Sequence, residues 1–363
     1  MDVFILGFAV HPPADRIGDK RLEELVFDTS AEALRHARIE RQEIDHITIA
    51  ACDELDGRSI SSMLLAAPAG GYLKDEVKVT DSGLIGLCLA AMRVGTERFN
   101  LGLVASWSKT SIAPFEDVMR MRCEPFFTRP IGLNASIADG LFAQALISKG
   151  IASEERANAI ATRLRNNGAK NHNGIQRKPL TVQEVEQSPY VGVPLRTAHQ
   201  APLTDGAVSI VLCSGKWLKA HPSATPLARI AGLGWAVDSY ALNLDRLTAL
   251  NSFRASWNAA VKQAALRNAG AFDALEFDSQ TAFHALAYEH ALDLNGAQSV
   301  SPSGSAFAQN PYFCMGLVNV VEAVRQVADL AGPLQIKKAR HAAAHGQHGF
   351  AQQGNAVVML ERV

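Results

Sequence analysis

Along the first hundred residues, short apolar runs rich in β-branched side chains alternate with stretches of helical periodicity, and this alternation restricts the fold more than any other feature. Val3–Val10, Ile44–Cys52, Glu76–Thr80 and Leu101–Trp107 read as strands, with helices over Arg21–Ile39 and from about Ser82 to Phe99 between them. Strands separated by helices need crossover connections. They predict a sheet covered on both faces, an α/β protein.

From Ser111 to about Pro202 the pattern changes to helices and polar loops. Ala135–Lys149 and Ser153–Gly168 are the clearest helical segments, and Ser153 followed by Glu154 and Glu155 makes a helix start. Asn166–Pro179 is rich in turn formers and cations. This region reads as an insertion riding on the first sheet.

Asp205–Ser214 returns to the strand pattern. After the polar Gly215–Thr225 come strands at Pro226–Val237, Ala274–Asp278, Gln298–Pro302 and Asn355–Glu361, with helices near Ser252–Asn268, Thr281–Leu292 and Pro311–Leu330 among them. The second half therefore repeats the element order of the first. The expected division is 1–110 plus 203–215, an insertion over 111–202, and 226–363.

Composition narrows the function classes. The 363 residues carry 35 basic and 36 acidic side chains, a formal charge of -1, so no global field draws the chain to nucleic acid or to an anionic membrane. The start, Met1-Asp2-Val3, has an acid where a signal peptide carries lysine or arginine, and no apolar run approaches the ~20 residues of a membrane span. The expectation is a cytoplasmic protein. Cys52, Cys88, Cys123, Cys213 and Cys314 are odd in number and form no C-x-x-C pair, which predicts neither a disulfide framework nor a metal site.

Val79–Ser111, VTDSGLIGLCLAAMRVGTERFNLGLVASWSKTS, resembles the thiolase segment in which a strand delivers a nucleophilic cysteine to the start of a buried helix. Leu203–Leu212 resembles the family's N-D-G-A-A-A strand, and Val300–Gly316 its N-P-x-G-G block followed by G-H-P-x-G. Each motif is degenerate, and the weight lies in their order. The resemblance implies the thiolase fold: two similar α/β halves in a five-layer αβαβα arrangement, with an inserted loop domain that binds the nucleotide of coenzyme A. It also implies a dimer or tetramer, and no permanently bound cofactor, with coenzyme A or acyl-CoA as substrate.

The family's catalytic positions fall on other residue types here. Counting back from Ser82-Gly83, the nucleophilic cysteine becomes Thr80. A helix N-terminus favours an anion by at most about 2 kcal/mol, enough to ready a thiol but far too little for a hydroxyl. Thr80, Asp81 and Ser82 equally fit a plain helix start. Cys88, inside the same helix between Leu87 and Leu89, reads as core. The histidine of G-H-P becomes Asn310, which can hydrogen-bond but cannot take a proton near neutral pH, and Tyr312 and Phe313 follow it. Tyr312 fits either a wall of the pocket or an acid. The asparagine of N-E-A-F becomes Gln280, which keeps the amide and so the means to bind a carbonyl, though a capping role also fits.

The second cysteine, of the C-x-G motif, becomes His348, in the run His345-Gly346-Gln347-His348-Gly349, which reads as a tight loop. An imidazole there, His348 or less directly His345, can serve as acid or base, and a structural role fits as well. His284 and His341 have weaker positional claims. Arg163, Arg165, Lys170, Arg177 and Lys178 form the best local site for a nucleotide phosphate, against the alternative of a solvated loop.

Three functions fit these substitutions. The first is an acyl-CoA-binding enzyme of the acyltransferase superfamily that makes or breaks carbon–carbon bonds without a cysteine nucleophile, by lyase or retro-aldol chemistry. The second is a catalytically inactive thiolase-like subunit supporting an active thiolase partner. The third, an ordinary acetyl-CoA acetyltransferase, requires the alignment at Thr80 to be wrong. Relatives that work with a small zinc-ribbon and OB-fold subunit make such a partner a further expectation.

Overall fold

The computed structural model describes residues 1–266, 268–294 and 299–363. Its first five main strands are β1 (Val3–Val10), β2 (His46–Ala51), β3 (Asp75–Thr80), β4 (Leu101–Lys109) and β5 (Asp205–Ser214). Helix α1 (Leu22–Ala37) joins β1 to β2, and α2 (Gly83–Gly95) joins β3 to β4. Ser82 caps α2, its hydroxyl accepting from the Ile85 amide at 3.4 Å. Glu24 Oε2 accepts from the Arg21 amide at 2.8 Å at the start of α1, which ends at Arg38 in the left-handed region, φ 56°.

Between β4 and β5 the chain builds a short helix Phe115–Met121, then α3 (Ala135–Ser148) and α4 (Glu154–Lys170). Asn134 Oδ1 accepts from the Ile137 amide at 2.9 Å and Ser153 Oγ from the Arg156 amide at 3.2 Å, so the predicted Ser153 start holds. The second half contains β6 (Ala228–Val237), β7 (Ala274–Glu276), β8 (Ser299–Val300), β9 (His341–His348) and β10 (Gly354–Glu361), with α5 (Asn251–Ala264), α6 (Ala282–Ala291) and α7 (Met315–Val327).

The ten strands hydrogen-bond in the order β8-β7-β9-β10-β6-β1-β5-β4-β2-β3. In each five, the third, second and fourth strands in chain order run parallel, and the fifth is antiparallel to both the fourth and the first. The halves thus share one topology, and meet where Phe4 and Ile5 of β1 pair with Arg229 and Ala228 of β6. Helices α2 and α7 pack against each other and against strands of both halves, α1 lies on β1, β5 and β4, and α5 lies on β6 and β10. This gives helix, sheet, helix, sheet, helix: the α/β five-layer arrangement that the thiolase resemblance implies. The central layer is dry, with Leu84, Leu87 and Val94 of α2 against Leu317, Val320 and Val321 of α7, all fully buried. Leu25, Ile47, Ile49 and Trp107 form a second cluster under α1.

Some expectations need correction. His345–Gly349 is not a tight loop. Residues His341–His348 form a strand between β7 and β10, and Ala342, Ala343 and Ala344 are buried. Three consecutive alanines give no alternation to read and have low strand propensity, so packing alone decides the conformation. The helix expected from Pro311 begins as a 3₁₀ turn, Tyr312–Cys314, and becomes regular only at Met315. The helix expected over Ser252–Asn268 ends at Ala264, and its residue 267 lies outside the described residues, as does Gln298 at the start of an expected strand.

Candidate active site

In open α/β sheets ligands gather at the carboxyl ends of parallel strands. Here those ends carry Cys52 after β2, Thr80 on β3, Asp278 and Gln280 after β7, and His348 on β9. A series of contacts connects them. Arg122, just past the Phe115–Met121 helix, pairs with Asp81 next to Thr80, reaches Glu54 at 2.8 Å and Cys52 Sγ at 3.2 Å, and stands 5.6 Å over the Phe313 ring. Phe313 packs on Tyr312 with ring centres 5.1 Å apart. Beyond Tyr312 comes a cavity that Gln280 shares, and Gln280 leads through Asp278 to Gln347, the neighbour of His348.

The cavity, about 350 Å³, is lined by Phe115, Glu116, Asp139, Leu203, Gln280 and Tyr312 among others. Tyr312 packs edge-on to Phe115 at 4.8 Å, and its hydroxyl has no hydrogen-bond partner among the described residues. Burial raises its pKa well above the phenol value, and the negative charges of Asp139, Asp278 and Glu116 add to this, so it remains a proton donor across the neutral range. Glu116 accepts from Ser136 Oγ at 2.7 Å and from the Ala135 amide at 3.2 Å. Asp139, on the next turn of α3, lies deep in this acidic surround, and burial reinforced by Glu116 pushes its pKa up to about 8.

Gln280 and Asn310 lie together beneath the cavity. Gln280 Nε2 donates to Asn310 Oδ1 at 3.0 Å and to Asp278 Oδ1 at 2.7 Å, while Asn310 Nδ2 donates to Gln280 Oε1 at 2.8 Å and to the Ala201 carbonyl at 3.4 Å. All four amide hydrogens are engaged within the protein. Asp278 also accepts from the Gln347 amide at 3.1 Å, and full burial outweighs these bonds, raising its pKa to about 7.

His345 is a core residue. Its Nε2 pairs with Asn355 Oδ1 at 2.8 Å, its Nδ1 accepts from the Asp278 amide at 3.3 Å, and Tyr288 and Phe253 pack on the ring at 4.5 and 5.3 Å. Burial holds it neutral, its pKa lowered to about 4 despite the Asn355 bond. His348 is half-buried at the strand end with Nδ1 unpartnered, and its pKa too is lowered to about 4, by burial first and by the Arg122 charge second. Thr80 is exposed, and no base hydrogen-bonds its hydroxyl among the described residues.

The cations of the insertion lie apart from the cavity lining. Arg163 pairs with Glu289, Arg177 with Asp15, and Lys178 with Glu184 at 3.3 Å. Lys170 is exposed, and Arg165 keeps Nε and Nη1 buried without partners beside Arg177. The five cysteines are free and buried, Cys52 and Cys88 with pKa raised by burial to about 12. No group of three or more metal-ligating side chains occurs among the described residues, and no helix among them is long and apolar enough to cross a membrane.

Reasoning from sequence does not single out Arg122, Asp139 or Asp278. For Asp139 a signal exists: it is the sole charge in the helix ASIADGLFAQALIS. Arg122 has no such mark.

Residues 272–362 match the family described as thiolase C-terminal domain-like. No curated protein sequence matches the chain. Among solved structures, the Ltp2-ChsH2(DUF35) aldolase superposes with a TM-score of 0.82 at 17% identity, over 99% of this chain and 98% of the other. Human mitochondrial 3-ketoacyl-CoA thiolase gives 0.80 at 16%, and the acetyl-CoA acetyltransferase from Syntrophomonas wolfei 0.79 at 15%, each again over 99% of this chain and 98% of the other. The thiolase fold thus runs along the whole length of this chain, and its last segment matches the thiolase C-terminal domain-like family.

Proposed function

We propose that the protein binds an acyl-CoA thioester at this cavity and makes or breaks a carbon–carbon bond of it without a cysteinyl intermediate, as a retro-aldol type lyase. The observation that carries the reading is the pairing of an unengaged, protonated Tyr312 hydroxyl in the cavity with cysteines that are all buried. In the cleavage direction a base removes the β-hydroxyl proton, the Cα–Cβ bond breaks, its electron pair enters the thioester enolate, and Cα takes up a proton. Tyr312 donates to the enolate oxygen, and neutral His348 serves as an acceptor. Likeness to an aldolase, and to human thiolase solved with CoA, supports this reading. Of Arg163, Arg165, Lys170, Arg177 and Lys178, Arg165 and Lys170 have no acid partner among the described residues and are the proposed anchor for the nucleotide phosphates. The name of the aldolase pairs two proteins, Ltp2 and ChsH2(DUF35), which supports a small subunit as partner alongside self-association into a dimer or tetramer.

A second reading, an inactive subunit that supports an active partner, draws on the closed Gln280–Asn310 amide pair, which leaves no free amide hydrogen to polarise a carbonyl. Calorimetry with acyl-CoA separates the two: absence of binding sinks the enzyme reading. If activity survives in both Tyr312→Phe and His348→Ala, the residue roles are wrong. Alkylation followed by mass spectrometry tests the third possibility, since an ordinary thiolase labels quickly at one cysteine, whereas these buried thiols react slowly.

A further inference from the structure

Asp139 and His284 face each other across the wall of the cavity. Asp139 belongs to α3, its side chain is 17% exposed, and it accepts no hydrogen bond among the described residues. His284 belongs to the first turn of α6 and is 1% exposed, with Nε2 3.8 Å from Asp139 Oδ1. That Nε2 has no hydrogen-bond partner, an expensive omission for a buried imidazole unless it meets a mobile proton. The ring is fixed on its other sides: Nδ1 bonds Thr281 Oγ1 at 2.9 Å, and Phe142 stacks on it at 4.8 Å. Thr281 also caps α6, its hydroxyl accepting from the His284 amide at 3.3 Å. With Nδ1–H donating to Thr281, Nε2 presents a lone pair to the carboxyl.

We propose that Asp139 is the catalytic proton carrier of this cavity and that His284, anchored by Thr281, is its positioning residue. The inference rests on the cavity being the site of acyl-CoA chemistry and adds to His348 a base that belongs to the cavity lining itself. As carboxylate, Asp139 takes the β-hydroxyl proton while the Cα–Cβ bond breaks and the bonding pair enters the enolate. It then returns the proton to Cα, leaving a carbonyl compound and a shorter acyl-CoA. Nothing is oxidised or reduced, and no further reactant is needed. The groups facing Asp139 from the packed elements are Glu116 from the preceding helix, His284 and Tyr288 from α6, and Tyr312 from the turn before α7. None of these is a cation at neutral pH, and Arg246, on the short helix packed against α3, turns its guanidinium to the Phe350 and Ala351 carbonyls, so a raised carboxyl pKa follows from burial and Glu116, and the carboxylate forms as pH rises towards 8.

The test uses propionyl-CoA in D2O with the intact protein, following loss of the α-hydrogens by NMR, the step in which the carrier moves a proton at Cα. Wild type is expected to catalyse exchange with a rate rising towards pH 8. Asp139→Asn is expected to lose a factor of about 100 to 10,000 while binding propionyl-CoA equally by calorimetry, and Asp139→Glu to recover part of the rate. His284→Gln is expected to keep exchange but shift the rising limb to lower pH, because an amide oxygen is a weaker acceptor for the carboxyl proton than an imidazole nitrogen; a purely structural role leaves that limb in place. Exchange in Asp139→Asn within tenfold of wild type overturns the inference and leaves the functional reading standing. If Asp139→Asn does not fold, unchanged pH profiles in both Asp139→Glu and His284→Gln overturn it. Wild type that neither binds nor exchanges propionyl-CoA overturns the functional reading, and this inference with it.

Discussion

Gln280 and Asn310 bind each other through both ends of their amides, at 3.0 and 2.8 Å, and so lock the floor of the cavity to the turn that opens α7. Removing either partner strands a buried amide and leaves Asp278 or the Ala201 carbonyl short of a donor. Asn310→Ala is expected to lower the unfolding free energy by about 1–3 kcal/mol, and the double variant with Gln280→Ala to cost less than the sum of the two single changes. Denaturant titration of the four proteins checks this, and additive losses contradict it.

Stability should fall as pH rises above the midpoint of ordinary histidine. Burial raises Asp278 to about 7, and raises Asp139 and Glu276 to about 8, with neighbouring acids contributing to the last two. Their folded forms hold protons that an unfolded chain releases near pH 4, so stability declines from about pH 4 up to the folded values, by at most about 1.4 kcal/mol per pH unit per group. His46, His345 and His348 act in the opposite sense. Burial lowers each to about 4, and their contribution is lost as pH falls from about 6.5 to about 4. Between pH 6.5 and 8 the acids act alone. Urea midpoints should drop over that interval in wild type and drop less in Glu276→Gln; a flat or rising midpoint in wild type refutes the assignment.

Arg122 should control the basicity of His348. Its charge adds to burial in lowering the imidazole pKa, so Arg122→Met is expected to raise the His348 midpoint while leaving it below about 6.5, because burial persists. Imidazole C–H resonances followed across pH measure the shift. An unchanged midpoint removes Arg122 from the site.

At Gly316 and Gly346, α7 and β9 meet backbone to backbone. A Cβ on Gly346 would stand 3.0 Å from the Gly316 Cα and 3.0 Å from Leu84 Cβ. Gly346→Ala is therefore expected to cost about 1–3 kcal/mol by overpacking, read as a lower melting temperature, whereas Gly132→Ala meets no neighbouring atom and tests backbone strain alone at φ 80°.

Most of the architecture is legible in the sequence because strands such as Val3–Val10 and Asp205–Ser214 are largely apolar, β-branched runs bounded by polar turns. The strand His341–His348 is not, since alanine, glycine and histidine carry little strand signal and the segment is held by neighbours far away in the chain. Reading by family position placed Thr80, Gln280, Asn310, Tyr312 and His348 along one edge of the strands, which local order alone can do. It could not find the Gln280–Asn310 closure, a contact across thirty residues, nor that His345 faces the core. Asp139 and Arg122 come from the insertion, where side-chain direction depends on how the preceding helix packs on α3 and α3 on α6.

The join between β1 and β6 has a consequence for how such a site can be retuned. Only two residue pairs bridge the halves there, so the span from Thr80 in one half to Gln347 and His348 in the other is gauged chiefly by the thickness of the central helices. A change of side-chain volume at Leu84 or Leu317 would then act as a spacer, widening or narrowing the gap between the two sets of strand ends from positions buried in the central layer.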